Sequence, residues 1–149
     1  MITLEPITDA NREGVEGLRV GPGQERFVSG VRESMREAEA EPGAQAICWA
    51  IVDDERPVGF VMIADEVADP GYIPHYLWKL LIDAGYQRRG YGTATLDLIA
   101  SYFRERGVSE MFTSAGQGEG SPIAFYERYG FRPTGEVHHG EIFLRLAID

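Results

Sequence analysis

Apolar residues in this chain fall into short runs that suit strands, separated by four stretches with helical signals. Thr3 to Ile7 reads as a first strand, and Asp9 is placed to cap a short helix through Leu18. Gly21-Pro22-Gly23 marks a break. Phe27, Val31 and Met35 recur at four-residue steps, which predicts a helix from Phe27 to Ala40; Glu33, Glu37 and Glu41 keep the same step on another face. Pro42-Gly43 ends it. Ala46 to Val52 and Val58 to Ala64 read as a hairpin buried on both faces, and Asp65 to Pro74 as a loop. Tyr76 to Asp83 is a fourth strand. Thr93 to Arg106 is a helix with Leu96, Ile99, Ala100 and Phe103 on one face and Gly107 at its end. Val108 to Ser114 is a fifth strand. Ser121 to Tyr129 is a short helix, with Ser as N-cap, Pro in the first turn and Gly130 as stop. Phe131 to Val137 and Glu141 to Ile148 form a last hairpin around His138-His139-Gly140, with Ile142, Leu144, Leu146 and Ile148 on one face. Strands first, then helix–strand–helix, then a hairpin is an α+β arrangement. It predicts one mixed, mostly antiparallel sheet of about seven strands flanked by helices in three layers.

Composition narrows the setting. The 149 residues suit one domain, residues 1–149, with a core of its own. No apolar run approaches the roughly 20 residues of a membrane span, so no membrane partner is expected. Met1-Ile2-Thr3-Leu4-Glu5 lacks a basic and then apolar leader pattern. Cys48 is the only cysteine, which excludes an internal disulfide and fits a reducing, cytoplasmic setting. Beside Trp49 in an apolar strand, it reads as a core thiol. The formal charge of −10 argues against nucleic acid as a partner and is compatible with a small cationic substrate, or with solubility alone.

One stretch departs from that acidity. Gln87-Arg88-Arg89-Gly90-Tyr91-Gly92-Thr93 lies between the fourth strand and the following helix. Strand, basic glycine-rich turn and helix start make a phosphate cradle: glycines let the backbone approach closely, and free N–H groups at the helix start face the anion. The P-loop pattern is incomplete, which disfavours a nucleotide-binding reading. Gly85 and Gly90 have its spacing, but Tyr91-Gly92 stands where Lys and a hydroxyl residue belong. A dinucleotide fingerprint is only partial, with Thr95 in place of the third glycine.

The pattern Q/R-x-x-G-x-G/A is satisfied in full by Gln87 to Gly92. It resembles the acetyl-CoA pyrophosphate loop of the GNAT superfamily of N-acetyltransferases. A second segment, Ser121 to Phe131, looks like the superfamily's helix carrying Tyr126, followed by Gly130-Phe131. Many members place Asn seven residues before that tyrosine, where this chain has Glu119, so the usual Asn contact with the cofactor is in doubt. The resemblance covers essentially the whole chain. It implies a GNAT-like acyl-CoA acyltransferase fold in which the fourth and fifth strands splay around the cofactor. Tyr76-Leu77-Trp78-Lys79-Leu80-Leu81-Ile82-Asp83 and Gly118-Glu119-Gly120-Ser121-Pro122 look most like the bacterial spermidine or diamine acetyltransferase branch.

The resemblance implies acetyl-CoA as co-substrate. It places Gln87, Arg88, Arg89, Gly90, Tyr91, Gly92 and Thr93 on the diphosphate, backbone groups of Leu80, Leu81 and Ile82 along the pantetheine arm, and Ser121 nearby. Tyr126 is the expected general acid, because a phenol is protonated at neutral pH and can protonate a departing thiolate. A primary amine would attack the thioester directly and must lose a proton to a base. His75, Glu33, Glu37 and Asp83 are the candidates for that base. Trp78 suits an ammonium by cation–π attraction, with His75, Glu33 and Glu37 as further acceptor-side residues. His138 and His139 would point to opposite faces of a strand, so no metal site is expected. Three alternatives stand beside the polyamine reading: an aminoglycoside or other amine, a protein N-terminus, and a non-catalytic acyl-CoA-binding module. An exposed last strand would suit a homodimer.

Overall fold

Short apolar runs in this sequence do become strands, and the sheet they build is opened at one place. A computed structural model describes residues 1–67 and 71–149; residues 68–70, inside the expected loop Asp65 to Pro74, lie outside the described residues. Among the described residues seven strands form one sheet in the order β1-β2-β3-β4-β5-β7-β6. They are β1 (Ile2–Pro6), β2 (Ala46–Asp53), β3 (Arg56–Ala64), β4 (Tyr76–Ile82), β5 (Glu110–Gly116), β6 (Arg132–His138) and β7 (Glu141–Ala147). The helices are α1 (Arg12–Glu16), α2 (Val31–Ala40), α3 (Tyr91–Glu105) and α4 (Ile123–Tyr129). Every neighbouring pair is antiparallel except β4 and β5, which are parallel.

Strand alternation sends side chains to two cores. Val61, Ile63, Leu77, Met111 and Leu144 meet Leu96, Ile99 and Phe103 of α3 and Tyr126 of α4. On the other face Phe60, Met62 and Leu81 meet Val15, Leu18 and Val31 from the α1–α2 side. Both faces of β3 are therefore covered, which is why that strand reads as one continuous apolar run. A fully buried residue such as Phe60 contributes about 1.5–3 kcal/mol through area removed from water.

Several element boundaries differ from the sequence expectation for local reasons. Asp9 does not cap α1. Asn11 stands at that position, its Oδ1 accepting from Thr8 N–H at 2.8 Å, and the helix runs only to Glu16. α2 begins at Val31 rather than Phe27, because Gly30 ahead of it is extended (φ −62°, ψ 167°). Phe27 thereby leaves the helix and lines the cleft described below. α4 begins at Ile123. Pro122, not Ser121, is the cap residue; Ser121 stands one position earlier, its Oγ accepting from Ile123 N–H at 3.3 Å and donating to Gly116 O at 2.6 Å. The last strand is not an exposed edge: β7 lies between β5 and β6, and β6 is the edge.

Two irregularities position the site. β4 and β5 pair only at Tyr76 with Phe112 and Leu77 with Thr113, although each strand has seven residues. Beyond Leu77 they part. In the β3–β4 register Met62 faces Lys79 while Ile63 faces Leu77, so Trp78 has no partner and forms a bulge just where the strands separate.

The β2–β3 turn gives a test of local conformation. Asp54 (φ 50°) and Glu55 (φ 65°) both adopt left-handed backbone in a two-residue turn between Asp53 and Arg56. Such turns favour glycine at the second position, and a side chain there costs about 1 kcal/mol. Glu55→Gly is expected to raise the unfolding free energy by about that amount, read as a higher denaturant midpoint at unchanged slope.

Candidate active site

Where β4 and β5 part, the molecule has a cleft of about 470 Å³. Its closed end is the last rung of the parallel ladder, where the Thr113 hydroxyl donates to Leu77 O at 3.0 Å. Backbone groups along β4 alternate between the two edges. Asp83 N–H donates to Val58 O on β3 at 2.9 Å, so by alternation Leu81 also turns to β3, while Leu80 and Ile82 turn to the gap. Leu80 and Ile82 line the cleft, and the Leu81 side chain is buried on the opposite face. Of the three expected backbone contacts, Leu81 is thus the one aimed away.

The open end is formed by the basic turn and the start of α3. Gln87 points inward: its Nε2 donates to Ile82 O (2.9 Å) and to Gln24 Oε1 (2.8 Å), which fastens the turn to β4 and to the segment before α2. Arg88 takes a left-handed backbone (φ 64°) and Gly90 does the same (φ 84°) as the residue ahead of the helix. The helix ladder begins with Ala94 N–H donating to Gly90 O at 3.0 Å, which leaves the amides of Tyr91, Gly92 and Thr93 outside it. All three residues line the cleft. A Cβ at Gly92 would stand 2.9 Å from Phe125 Cζ, so a side chain there would force that ring to shift. The Tyr91 hydroxyl donates to Asp53 Oδ2 at 2.5 Å and ties the helix start to the end of β2. That bond holds the Asp53 carboxyl below its ordinary pKa and raises that of the phenol.

The two arginines separate. Arg88 lines the cleft, whereas the Arg89 guanidinium lies 5.4 Å from the centre of the Tyr86 ring and is not part of the lining. With Lys79 and Arg128 the lining holds three basic side chains and neither Asp nor Glu. In a chain of formal charge −10 this is a local cationic island.

Tyr126 lies at the closed end. It is buried against Phe131 (ring centres 5.4 Å apart) and Phe125 (5.5 Å), and its phenol interacts with Thr113 at the last rung. Burial pushes its pKa far above the ordinary tyrosine value, with the Thr113 contact opposing in part. Ser121 and Pro122, ahead of the same helix, also line the cleft.

The acceptor-side candidates divide sharply. Trp78 lines the cleft. Glu37 lies behind it, its Oε1 3.2 Å from Lys79 Nζ and its Oε2 accepting from Ser29 Oγ at 2.9 Å. Glu33 is elsewhere, in a shallow depression with Glu16 and Arg36. His75 precedes β4, with its ring edge-on to Phe103 and Asp65 Oδ1 3.6 Å from Nδ1, and it is not part of the lining. Asp83 spends both oxygens on backbone, accepting from Arg19 N–H (2.8 Å) and Gly85 N–H (3.0 Å). Cys48 is half-buried, and burial pushes its thiol up to about 11, away from nucleophile chemistry. Among the described residues no group of three or more His, Cys, Asp or Glu is arranged to hold a metal. No described helix is long and apolar enough to cross a membrane. Sequence reasoning missed Lys79, Thr113, Ser114 and Phe27, whose places depend on the split and on where α2 begins.

A sequence model of the acetyltransferase (GNAT) family matches residues 14–131, and the chain belongs to that family. It is 30% identical over 90 residues to N-acetyltransferase 8 of Homo sapiens, covering 59% of this chain and 39% of that protein. It is 28% identical over 81 residues to the ribosomal protein bS18-alanine N-acetyltransferase of Escherichia coli K12, covering 48% and 55%. The chain thus spans about half or less of the length of these curated relatives. The PaiA N-acetyltransferase of Thermoplasma acidophilum, solved in complex with coenzyme A, shares the fold at a TM-score of 0.71 and 13% identity, covering 99% of each chain.

The raised phenol gives a direct test. Tyr126 is expected to stay protonated beyond about pH 10, where free tyrosine ionises. An alkaline difference spectrum of the native protein against Tyr126→Phe should therefore show no tyrosinate from this position until higher pH or unfolding. As its folded pKa exceeds the unfolded one, its contribution to stability is full below about pH 10 and falls as pH rises further.

Proposed function

We propose that this protein transfers the acetyl group of acetyl-CoA to a primary amine by direct attack in a ternary complex. The observation that carries the reading is a single cleft lined both by the free amides of α3 and by Tyr126, opened by the parting of β4 from β5. The diphosphate would lie on the amides of Tyr91, Gly92 and Thr93, with Arg88 adding a charge-assisted contact. The pantetheine arm would run beside Leu80 and Ile82, whose backbone faces the gap. That brings the thioester to the last rung, beside Thr113 and Tyr126. The amine forms a bond to the carbonyl carbon, and the phenol proton passes to the departing sulfur. Gln87, which also lines the cleft, would hold the turn in shape through its bonds to Ile82 and Gln24.

The acceptor we favour is the α-amine of a peptide. An α-amino group has a pKa of about 8, against about 10.4 for an alkylamine, so far more of it is neutral near pH 7. That suits a cleft lined by no carboxylate. The two curated relatives carry the names of N-acetyltransferases, one of them acting on alanine of a ribosomal protein. The polyamine reading keeps the support of the overall charge of −10. It draws less from the site: Glu33 lies outside the cleft and Glu37 is already paired with Lys79, so neither is free to hold a second ammonium.

Acetyl transfer from acetyl-CoA should be measured with alanine-ended peptides, spermidine and an aminoglycoside. Peptide is expected to be the best acceptor; preference for spermidine would restore the polyamine reading. Tyr126→Phe should lower turnover by about 100-fold or more with cofactor affinity unchanged. Arg88→Ala should weaken acetyl-CoA binding by about 10- to 100-fold, the value of a charge-assisted hydrogen bond. Saturable acetyl-CoA binding with no amine acetylated, and indifference to Tyr126→Phe, would leave a binding module instead.

A further inference from the structure

Transfer to an amine, as proposed above, needs a group that takes the ammonium proton, and no residue lining the cleft is a carboxylate. The acids expected from the sequence are committed: Asp83 to two backbone amides, Glu37 to Lys79 and Ser29. Ser114 leads to a different one. It follows Thr113 on β5, so the two side chains leave opposite faces of the sheet. Thr113 contacts Tyr126, while Ser114 lines the same cleft from the other face. The Ser114 hydroxyl donates to Glu141 Oε1 at 2.7 Å. Glu141 opens β7 opposite Gly116 and is exposed to solvent.

The direction of this chain is fixed by counting protons. Ser114 has one, and Glu141 receives it. The close hydrogen bond between the Tyr76 hydroxyl and Ser114 Oγ is therefore donated by the tyrosine. Tyr76 is packed against Phe143 (ring centres 6.3 Å apart), and burial with the nearby Glu141 charge raises its pKa, which keeps it a donor. Ser114 Oγ is left with a lone pair for an N–H in the cleft. The other titratable neighbours of Glu141 are His138, its register partner on β6, with Glu136 3.9 Å beyond, and Arg145, two positions along the same face past Phe143 and held by Glu110.

We propose that Ser114 relays the acceptor amine's proton to Glu141, so that proton acceptor and proton donor act from opposite faces of β5. The ammonium gives one proton through Ser114 Oγ to the Glu141 carboxylate, which releases it to water. The neutral nitrogen bonds to the thioester carbonyl carbon. The C–S bond breaks with its electron pair on sulfur, and sulfur takes the Tyr126 proton. The second nitrogen proton restores the phenol. Ammonium and acetyl thioester thus yield acetamide, thiol and one released proton. Ser114 is the residue that touches the amine, and Glu141 acts through it.

The inference rests on the acetyltransferase reading, and the test separates the two. Ser114→Ala and Glu141→Gln are compared with wild type across pH, using an alanine-ended peptide and an alkylamine. Near pH 7 each variant should lose up to about 10-fold in kcat with the peptide and about 100-fold or more with the alkylamine, with the KM for acetyl-CoA within about twofold. The deficit should close as pH passes the amine's own pKa, about 8 for the peptide and about 10.4 for the alkylamine, because the amine then arrives neutral. The double variant should be no worse than either single one, and Glu141→Asp should retain part of the rate. A purely structural role would give a loss that does not depend on pH or on the amine. Wild-type turnover in Ser114→Ala near neutral pH, or a deficit unchanged at high pH, overturns the relay while leaving the transferase reading intact. A wild type that acetylates no amine overturns both.

Discussion

Parallel pairing between β4 and β5 stops after Leu77 and Thr113, and the rest of the molecule is arranged around that interruption. A sheet opened in its middle leaves backbone groups that need partners. Here two of the freed carbonyls are met by side chains. Leu77 O receives the Thr113 hydroxyl, and Ile82 O receives the Gln87 amide. The remaining Leu80 and Ile82 positions border the cleft. The bulge at Trp78 lies at the branching point, where an extra residue bends the strand away from its neighbour. The unpaired residue in β4 thus coincides with the opening of the cleft between β4 and β5.

Electrostatics follow from the same opening. Acidic side chains are spread over the surface of a chain with formal charge −10, yet the cleft lining carries Lys79, Arg88 and Arg128 and no acid. An anionic ligand meets repulsion from the molecule as a whole and attraction at close range, so discrimination rests on fit within the channel rather than on long-range steering. Within the channel the sheet separates two groups of hydrogen-bonding side chains. Tyr126 and Thr113 belong to one face; Tyr76, Ser114 and Glu141 belong to the other. Adjacent positions on a strand diverge by geometry alone, so neighbouring residues on β5 serve opposite sides of the same cleft.

Much of this was legible in the amino-acid string. The glycine-rich basic turn of Gln87 to Thr93, leading into a helix, was readable because its signal is local: glycines, a helix start and basic residues within seven positions. Tyr126 was readable from its helix, and the hairpins from alternation. What escaped depends on contacts distant in sequence. That Arg89 stacks on Tyr86 while Arg88 faces the cleft follows from the left-handed backbone at Arg88, which no neighbouring residue signals. Phe27 shares the step of Val31 and Met35, so periodicity assigned it to the helix, whereas the extended Gly30 removes it. Glu33 and Glu37 share a helix face by spacing, but only Glu37 lies over β4. The bond between Ser114 and Glu141 joins residues 27 apart and exists only because β7 inserts between β5 and β6. No pattern within either strand announces it.

The edge strand β6 has a consequence for how this molecule behaves in company. All seven of its residues are exposed, and its outer rim is open to a further strand. Pro133 offers no amide to such a visitor, the left-handed Gly135 (φ 97°) breaks the extended line, and Arg132 and Glu136 add fixed charges. Pairing with β7 is itself interrupted between Pro133 and Val137. A margin built in this way is a poor template for edge-to-edge growth, and so the chain can keep a long sheet with a half-open centre and still resist being zipped into fibres.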